Sequence, residues 1–124
     1  ADKPSGQVIV DFAPAAARNH ITDLTGKTSL IDVVDIMGRC ACVISNDSGL
    51  MHVSAAIGCH TVVLYGSTSA DFTPPLTEQV DIVNLSLDCS PCFKRTCPLG
   101  HMDCLNNLSP AQVLARVTPV IEVS

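Results

Sequence analysis

Short apolar runs alternate along this chain with segments whose apolar residues recur every three or four positions. Runs of strand length occupy residues 7–12, 41–45, 61–65 and 80–85. Helical spacing is found in residues 29–39, 50–57 and 110–121. Continuous apolar runs of this length are typical of strands buried on both faces. Their alternation with helices predicts an α/β fold with a Rossmann-like parallel sheet and flanking helices.

Residues that begin or end helices support this division. Ser109-Pro110 has the N-cap and first-position residues of a helix, and Thr28 or Ser29 is a suitable N-cap for residues 29–39. Gly38 and Gly58 follow helical segments, where glycine commonly ends a helix. The expected buried face of the last helix comprises Val113, Leu114, Val117, Val120 and Ile121. We expect residues 1–124 to form one, partial domain.

Composition excludes several classes of partner. Hydrophobic residues make up 47% of the 124, which is enough for a packed core. The net charge of −5, with only 7 Lys and Arg, disfavours binding to nucleic acid or anionic lipid. No apolar run reaches the roughly 18 residues that a membrane span needs. These features predict a cytoplasmic protein without a transmembrane segment.

The strongest candidate site is the turn after residues 41–45. Asn46-Asp-Ser-Gly49 connects a buried strand to a helix, at the sheet edge where α/β folds bind ligands. The N–H groups of a first helical turn favour a phosphate or diphosphate, and Gly49 permits close approach. Asp47 suits the hydroxyls of a sugar, while Ser48 and His52 share the helix face. The alternative is that Asp47 and Ser48 only cap the helix.

A second candidate loop follows the strand at residues 61–65. Gly66-Ser-Thr68 supplies a glycine and hydroxyl groups near the same expected crevice. Gly66 and Thr68 are therefore candidate ligand contacts. Taken alone, this segment is equally typical of an ordinary connecting loop.

Residues 88–107 form a cysteine-rich loop within the domain. It contains four thiols in a short stretch, those of Cys89, Cys92, Cys97 and Cys104. Four thiolates can satisfy a tetrahedral zinc ion, so a structural zinc is one interpretation. Buried reduced thiols and disulfides are the alternatives. The remaining cysteines, Cys40, Cys42 and Cys59, are expected in the core.

The motifs together resemble glycosyltransferase family 9, the ADP-heptose:lipopolysaccharide heptosyltransferases. Residues 46–52, Tyr65-Gly66 and residues 71–76 look like this family's signature, and residues 89–105 are similar to a loop of its heptosyltransferase II members. The resemblance implies the C-terminal, nucleotide-sugar-binding half of a GT-B enzyme. It also implies that Asp47, Ser48, Gly49 and His52 contact the donor, ADP-heptose.

The resemblance further implies transfer of L-glycero-D-manno-heptose to the inner core of lipopolysaccharide, without a metal cofactor. The general base and the acceptor site would lie in an N-terminal domain outside these residues. We therefore expect no catalytic residue in this chain and no activity from it alone. The implied location is cytoplasmic, peripheral at the inner face of the cytoplasmic membrane.

A non-catalytic function remains as the alternative hypothesis. In it, the chain is a zinc-stabilised α/β module that binds a nucleotide or a protein. An incomplete sheet would also leave one edge exposed, which predicts a homodimer of this chain.

Overall fold

The structure is a computed structural model that describes residues 3–71, 74–85, 87–94 and 96–123. The chain divides into two compact units, Ala1–Asp35 and Ile36–Ser124. The elements in chain order are α1 (Lys3–Phe12), α2 (Ala15–Arg18), α3 (Leu30–Met37), β1 (Val43–Asn46), α4 (Gly49–Ala56), β2 (Thr61–Leu64), β3 (Val80–Val83), α5 (Asp103–Asn106) and α6 (Pro110–Val123).

The strand predicted at residues 7–12 is wrong, because this segment belongs to α1. Gln7 Nε2 donates to Asp11 Oδ1 across 2.9 Å, a contact between neighbours one helical turn apart. A short apolar run does not distinguish a strand from a helix by periodicity. A helix satisfies its backbone within the segment, whereas a strand also needs a neighbouring strand.

The other elements of the first unit follow local sequence signals. The carboxylate of Asp23 accepts hydrogen bonds from both the backbone N–H and the hydroxyl of Thr25, in the loop predicted at residues 23–27. These bonds lower the pKa of Asp23 below 3.8. At the start of α3, Ser29 N–H donates to Asp32 Oδ2 and Asp32 N–H donates to Ser29 Oγ. This reciprocal cap confirms Ser29 as the N-cap.

The second unit contains a parallel sheet in the order β1-β2-β3. Both pairings are in register from end to end: Val43 is opposite Thr61 in β1 and β2, and Thr61 is opposite Val80 in β3. A parallel pair needs a crossover connection, and α4 provides it between β1 and β2. The α/β, Rossmann-like prediction is confirmed.

Helices pack on both faces of β2 because successive strand residues point to opposite sides. On one face, Met51 of α4 forms a buried cluster with Val63 and Tyr65. On the other face, Val62 is buried with Val83 and with Val117 of α6. The position of α4 against the sheet is therefore set by buried contacts, and α4 carries the candidate ligand turn at its N-terminus.

The last helix, α6, begins as predicted but buries a narrower face. Ser109 N–H donates to Gln112 Oε1, and Gln112 N–H donates to Ser109 Oγ, which confirms the N-cap. Val117 is buried, but Leu114 and Ile121 are 56% and 49% exposed, contrary to the prediction. A three-stranded sheet is too small to cover a wider helix face. None of the helices in the described part of the chain is both long and apolar enough to cross a bilayer.

Candidate functional site

The candidate ligand segments leave one edge of the sheet. Asn46 ends β1 opposite Leu64, which ends β2, and Leu64 lies opposite Val83, the end of β3. Tyr65 N–H also donates to Val83 O across 3.0 Å. The turn after β1 and the loop after β2 therefore start side by side at the carboxyl edge, where ligands bind in open α/β sheets.

The turn after β1 leads into α4 with an open approach. Ser48 is extended, at φ −153° and ψ 172°, and makes no side-chain capping hydrogen bond to α4. Its hydroxyl instead lies 3.4 Å from Ser45 Oγ. A Cβ built on Gly49 would meet no atom within 4 Å, so the space beside this residue is open. Among the described residues, no side chain fills the space beside Gly49 at the start of α4.

Three polar residues lie close to Gly49 in the chain. Asp47 is half-buried between β1 and α4, while Asn46, the last residue of β1, is exposed. His52 is exposed on α4, three residues after Gly49, so the two residues lie one above the other on one helix face. The structure thus places residues 46–52 at the junction of β1 and α4, with Asn46, Gly49 and His52 exposed and Asp47 and Ser48 half-buried.

The loop after β2 begins with a buried residue. Gly66 is buried, and a Cβ there would lie 2.7 Å from Leu105 Cγ and 3.3 Å from Cys104 Sγ. The missing side chain of Gly66 therefore lets α5 approach the backbone. Thr68 is half-buried two residues further on. Of the signature segment at residues 71–76, Phe72 and Thr73 lie outside the described residues.

Two hydrogen bonds that the sequence did not reveal hold this loop. Ser90 Oγ donates to Gly66 O across 2.8 Å, and Phe93 N–H donates to Ser67 O across 2.7 Å. Both donors belong to the cysteine-rich segment, more than twenty residues away along the chain. No local pattern predicts such a contact, since it depends on how two loops meet.

The four clustered cysteines line one small cavity. It has a volume of about 100 Å³, and its walls include Cys89, Cys92, Cys97, Cys104 and His101. Among the described residues, no three His, Cys, Asp or Glu side chains are placed to hold one metal ion. As described, these side chains form no metal-binding group, and the structural zinc stays a prediction.

The thiols differ in their ionisation. Backbone N–H groups of Met102, and then of Leu99, Gly100 and His101, lower the pKa of Cys97 below 9.0. Met102 N–H lies 3.4 Å from Cys97 Sγ. Donors that favour the thiolate make this thiol the more reactive kind.

The cysteines of the sheet layer behave differently. Burial, followed by the proximity of Cys40, raises the pKa of Cys59 above 9.0. Burial also raises the pKa of Cys42. Cys59 is buried as predicted, but Cys40 is exposed, contrary to the prediction. Cys40 lies between α3 and β1, where the chain is still at the surface.

A family model matches most of the chain. The model described as glycosyltransferase family 9 (heptosyltransferase) matches residues 1–103. Lipooligosaccharide heptosyltransferase 2 of Haemophilus influenzae is 42% identical over 84 residues, which are 68% of this chain and 24% of that protein. Lipopolysaccharide heptosyltransferase 2 of Escherichia coli is 34% identical over 120 residues, 97% of this chain and 34% of that protein.

A solved structure has the same fold. The structure of E. coli ADP-heptose lps heptosyltransferase II matches with a TM-score of 0.80 and 30% identity, over 96% of this chain and 33% of that one. This chain therefore spans about a third or less of the length of these relatives.

Proposed function

Because the chain belongs to glycosyltransferase family 9, the heptosyltransferases, we propose that it is the donor-binding part of a heptosyltransferase that uses ADP-heptose. The parent enzyme would transfer L-glycero-D-manno-heptose to the inner core of lipopolysaccharide. In this proposal, residues 1–124 belong to one domain, the C-terminal half of a GT-B enzyme. The choice of donor is supported by the similar E. coli structure, which is described as an ADP-heptose lps heptosyltransferase.

One observation carries the proposal: the start of α4 is open at the carboxyl edge of a parallel sheet. Among the described residues beyond α4 and its flanking positions, none would lie within 4 Å of a Cβ on Gly49, and Ser48 makes no side-chain capping hydrogen bond to α4. The first N–H groups of a helix and its dipole favour an anion. A diphosphate placed there would gain this stabilisation without any Lys or Arg, which suits a chain of net charge −5.

The neighbouring side chains would divide the donor between them. Asp47 would accept hydrogen bonds from hydroxyl groups of the heptose or ribose, because a carboxylate is a poor neighbour for phosphate. Ser48 and His52 would donate to diphosphate oxygens. As the bond to heptose breaks, negative charge grows on the departing ADP, and preorganised donors stabilise that charge. Asn46, Gly66 and Thr68 would complete the pocket wall.

The rest of the reaction would depend on parts of the parent enzyme outside this chain. The proposal assigns the general base and the acceptor site to an N-terminal domain, so these residues alone would transfer no heptose. It includes no step through a metal. The parent enzyme would work in the cytoplasm, at the inner face of the cytoplasmic membrane, because its donor is water-soluble and its acceptor is an amphiphile.

A zinc-stabilised binding module is the second candidate, favoured by the cavity that all four clustered thiols line. Elemental analysis of protein purified without chelators separates the two proposals. One zinc per chain, lost together with the folded state, would favour the module. Protein that folds and binds ADP without stoichiometric zinc would exclude a module that depends on the metal.

The donor site can be tested by measuring ADP and ADP-heptose binding to the chain by calorimetry. We expect Asp47→Ala to abolish binding of ADP-heptose, and His52→Ala to weaken binding of both ligands. Asp35→Ala is the matched control, because it removes the same charge from an exposed position on α3. Asp47→Asn keeps the side-chain volume should the alanine variant unfold.

Equal affinity of the unmodified chain and a folded Asp47 variant for ADP-heptose would remove Asp47 from the site. Equal losses in the Asp47 and Asp35 variants would indicate a general charge effect instead. In the full-length parent enzyme, unchanged heptose transfer by the Asp47 variant would refute the assignment of the donor site.

A further inference from the structure

The cysteine-rich segment holds the loop after β2 through two consecutive carbonyl groups. Ser90 Oγ donates to Gly66 O across 2.8 Å, and Phe93 N–H donates to Ser67 O across 2.7 Å. Ser90 is half-buried, which limits competition from water for its hydroxyl. Two adjacent peptide units are thereby fixed in orientation by one segment.

The end of the same segment restricts the loop by packing. Leu105 and Cys104 of α5 lie so close to Gly66 that an added Cβ would sit 2.7 Å and 3.3 Å from their side chains. The loop is therefore held by hydrogen bonds from Ser90 and Phe93 and by direct contact with α5. Neither interaction involves the open surface at the start of α4.

The position of this loop matters because it leaves the sheet beside the turn that begins α4. Asn46 and Leu64 are register partners at the ends of β1 and β2. A ligand seated on the start of α4 would therefore meet the loop at Gly66 and beyond. Small displacements of positioning groups strongly weaken binding and catalysis.

From these contacts we propose that Ser90 is a positioning residue for the nucleotide-sugar donor. Its hydroxyl sets the Gly66 carbonyl and so places Ser67 and Thr68 along the donor site, without touching the donor itself. This inference rests on the proposed function. It adds that the cysteine-rich segment holds a loop of the donor site in position.

The test measures ADP affinity by calorimetry, with thermal melts alongside. We expect Ser90→Ala to weaken ADP binding roughly tenfold, as for loss of one part-buried hydrogen bond. Ser90→Thr keeps the hydroxyl and should bind within about twofold of the unmodified chain. Ser109→Ala is the control: it removes a serine hydroxyl that caps α6, lowering the melting temperature without changing the affinity of the folded protein.

The outcomes separate this inference from the function on which it rests. Unchanged affinity in folded Ser90→Ala, with binding by the unmodified chain, would overturn the positioning role alone. Equal weakening by Ser109→Ala would overturn it too, because stability would then explain the effect. No ADP binding by the unmodified chain would overturn the proposed function and this inference with it.

A second variant guards against failure of Ser90→Ala to fold. Leu105 is 42% exposed, so Leu105→Ala should fold while removing the contact with Gly66. We expect several-fold weaker ADP binding from it, and unchanged affinity would overturn support of the loop by this segment.

Discussion

Met51 joins the candidate donor turn to the core, and its truncation gives a sharp test of the fold. This side chain is 0% exposed and packs with Val63 of β2 and with Tyr65, the residue that follows β2. Met51→Ala removes three heavy atoms from a closed cluster, and such changes cost about 2–5 kcal/mol. Full burial against a rigid sheet places the expected loss at about 3 kcal/mol.

A loss of this size is a large part of the stability of a small domain. At about 4 °C per kcal/mol for a chain of this length, the melting temperature should fall by about 12 °C. Urea denaturation followed by circular dichroism would measure the free energy of unfolding, with an unchanged m-value as the sign of an unchanged unfolded state.

Two further variants make the measurement decisive. Met51→Leu nearly conserves volume and should cost less than about 1.5 kcal/mol. Met102→Ala, the same truncation at a position 47% exposed, should cost about 0.5 kcal/mol. A loss below about 1 kcal/mol in Met51→Ala, or one equal to that of Met102→Ala, would refute the packing of α4 on β2 through this residue.

Three other predictions follow from the same structure. The N–H and hydroxyl of Ser29 hold the pKa of Asp32 below 3.8. The stability from this cap is therefore present above about pH 4 and is lost as the pH falls through the folded pKa. An NMR titration of Asp32 should show the lowered pKa, and Ser29→Ala should raise that pKa. Because the pKa of Cys97 is lowered and that of Cys59 is raised, iodoacetamide at neutral pH should label Cys97 before Cys59, as followed by mass spectrometry, and the reverse order would contradict these environments. The exposed edge strand β1, whose Ile44 is 51% exposed, should pair with a second copy, and a strictly monomeric mass in light scattering would contradict this expectation.

Local sequence signals predicted much of what the structure contains. Ser29 and Ser109 begin helices because their hydroxyls reach N–H groups three residues away, an interaction that needs no distant partner. The alternation of apolar runs and helical segments predicted the parallel sheet. The polar turn between β1 and α4 was found for the same reason, since Asn46 to His52 are neighbours in the chain.

Tertiary structure decided what depends on distant partners. Residues 7–12 are helical although their apolar run also suits a strand, because strand formation needs a neighbour that local sequence does not specify. Leu114 and Ile121 are exposed because the width of the sheet, rather than the helical spacing, limits the buried face of α6.

The support of the loop after β2 also depends on distant partners. Ser90 and Gly66 are 24 residues apart, and no pattern of residue types at that distance announces their hydrogen bond. The sequence by itself determined which segments become strands and helices around the candidate donor turn and which residue types are available there. The tertiary structure determines which backbone groups these side chains contact. Hydrogen bonds and packing between distant segments need the fold to bring those segments together.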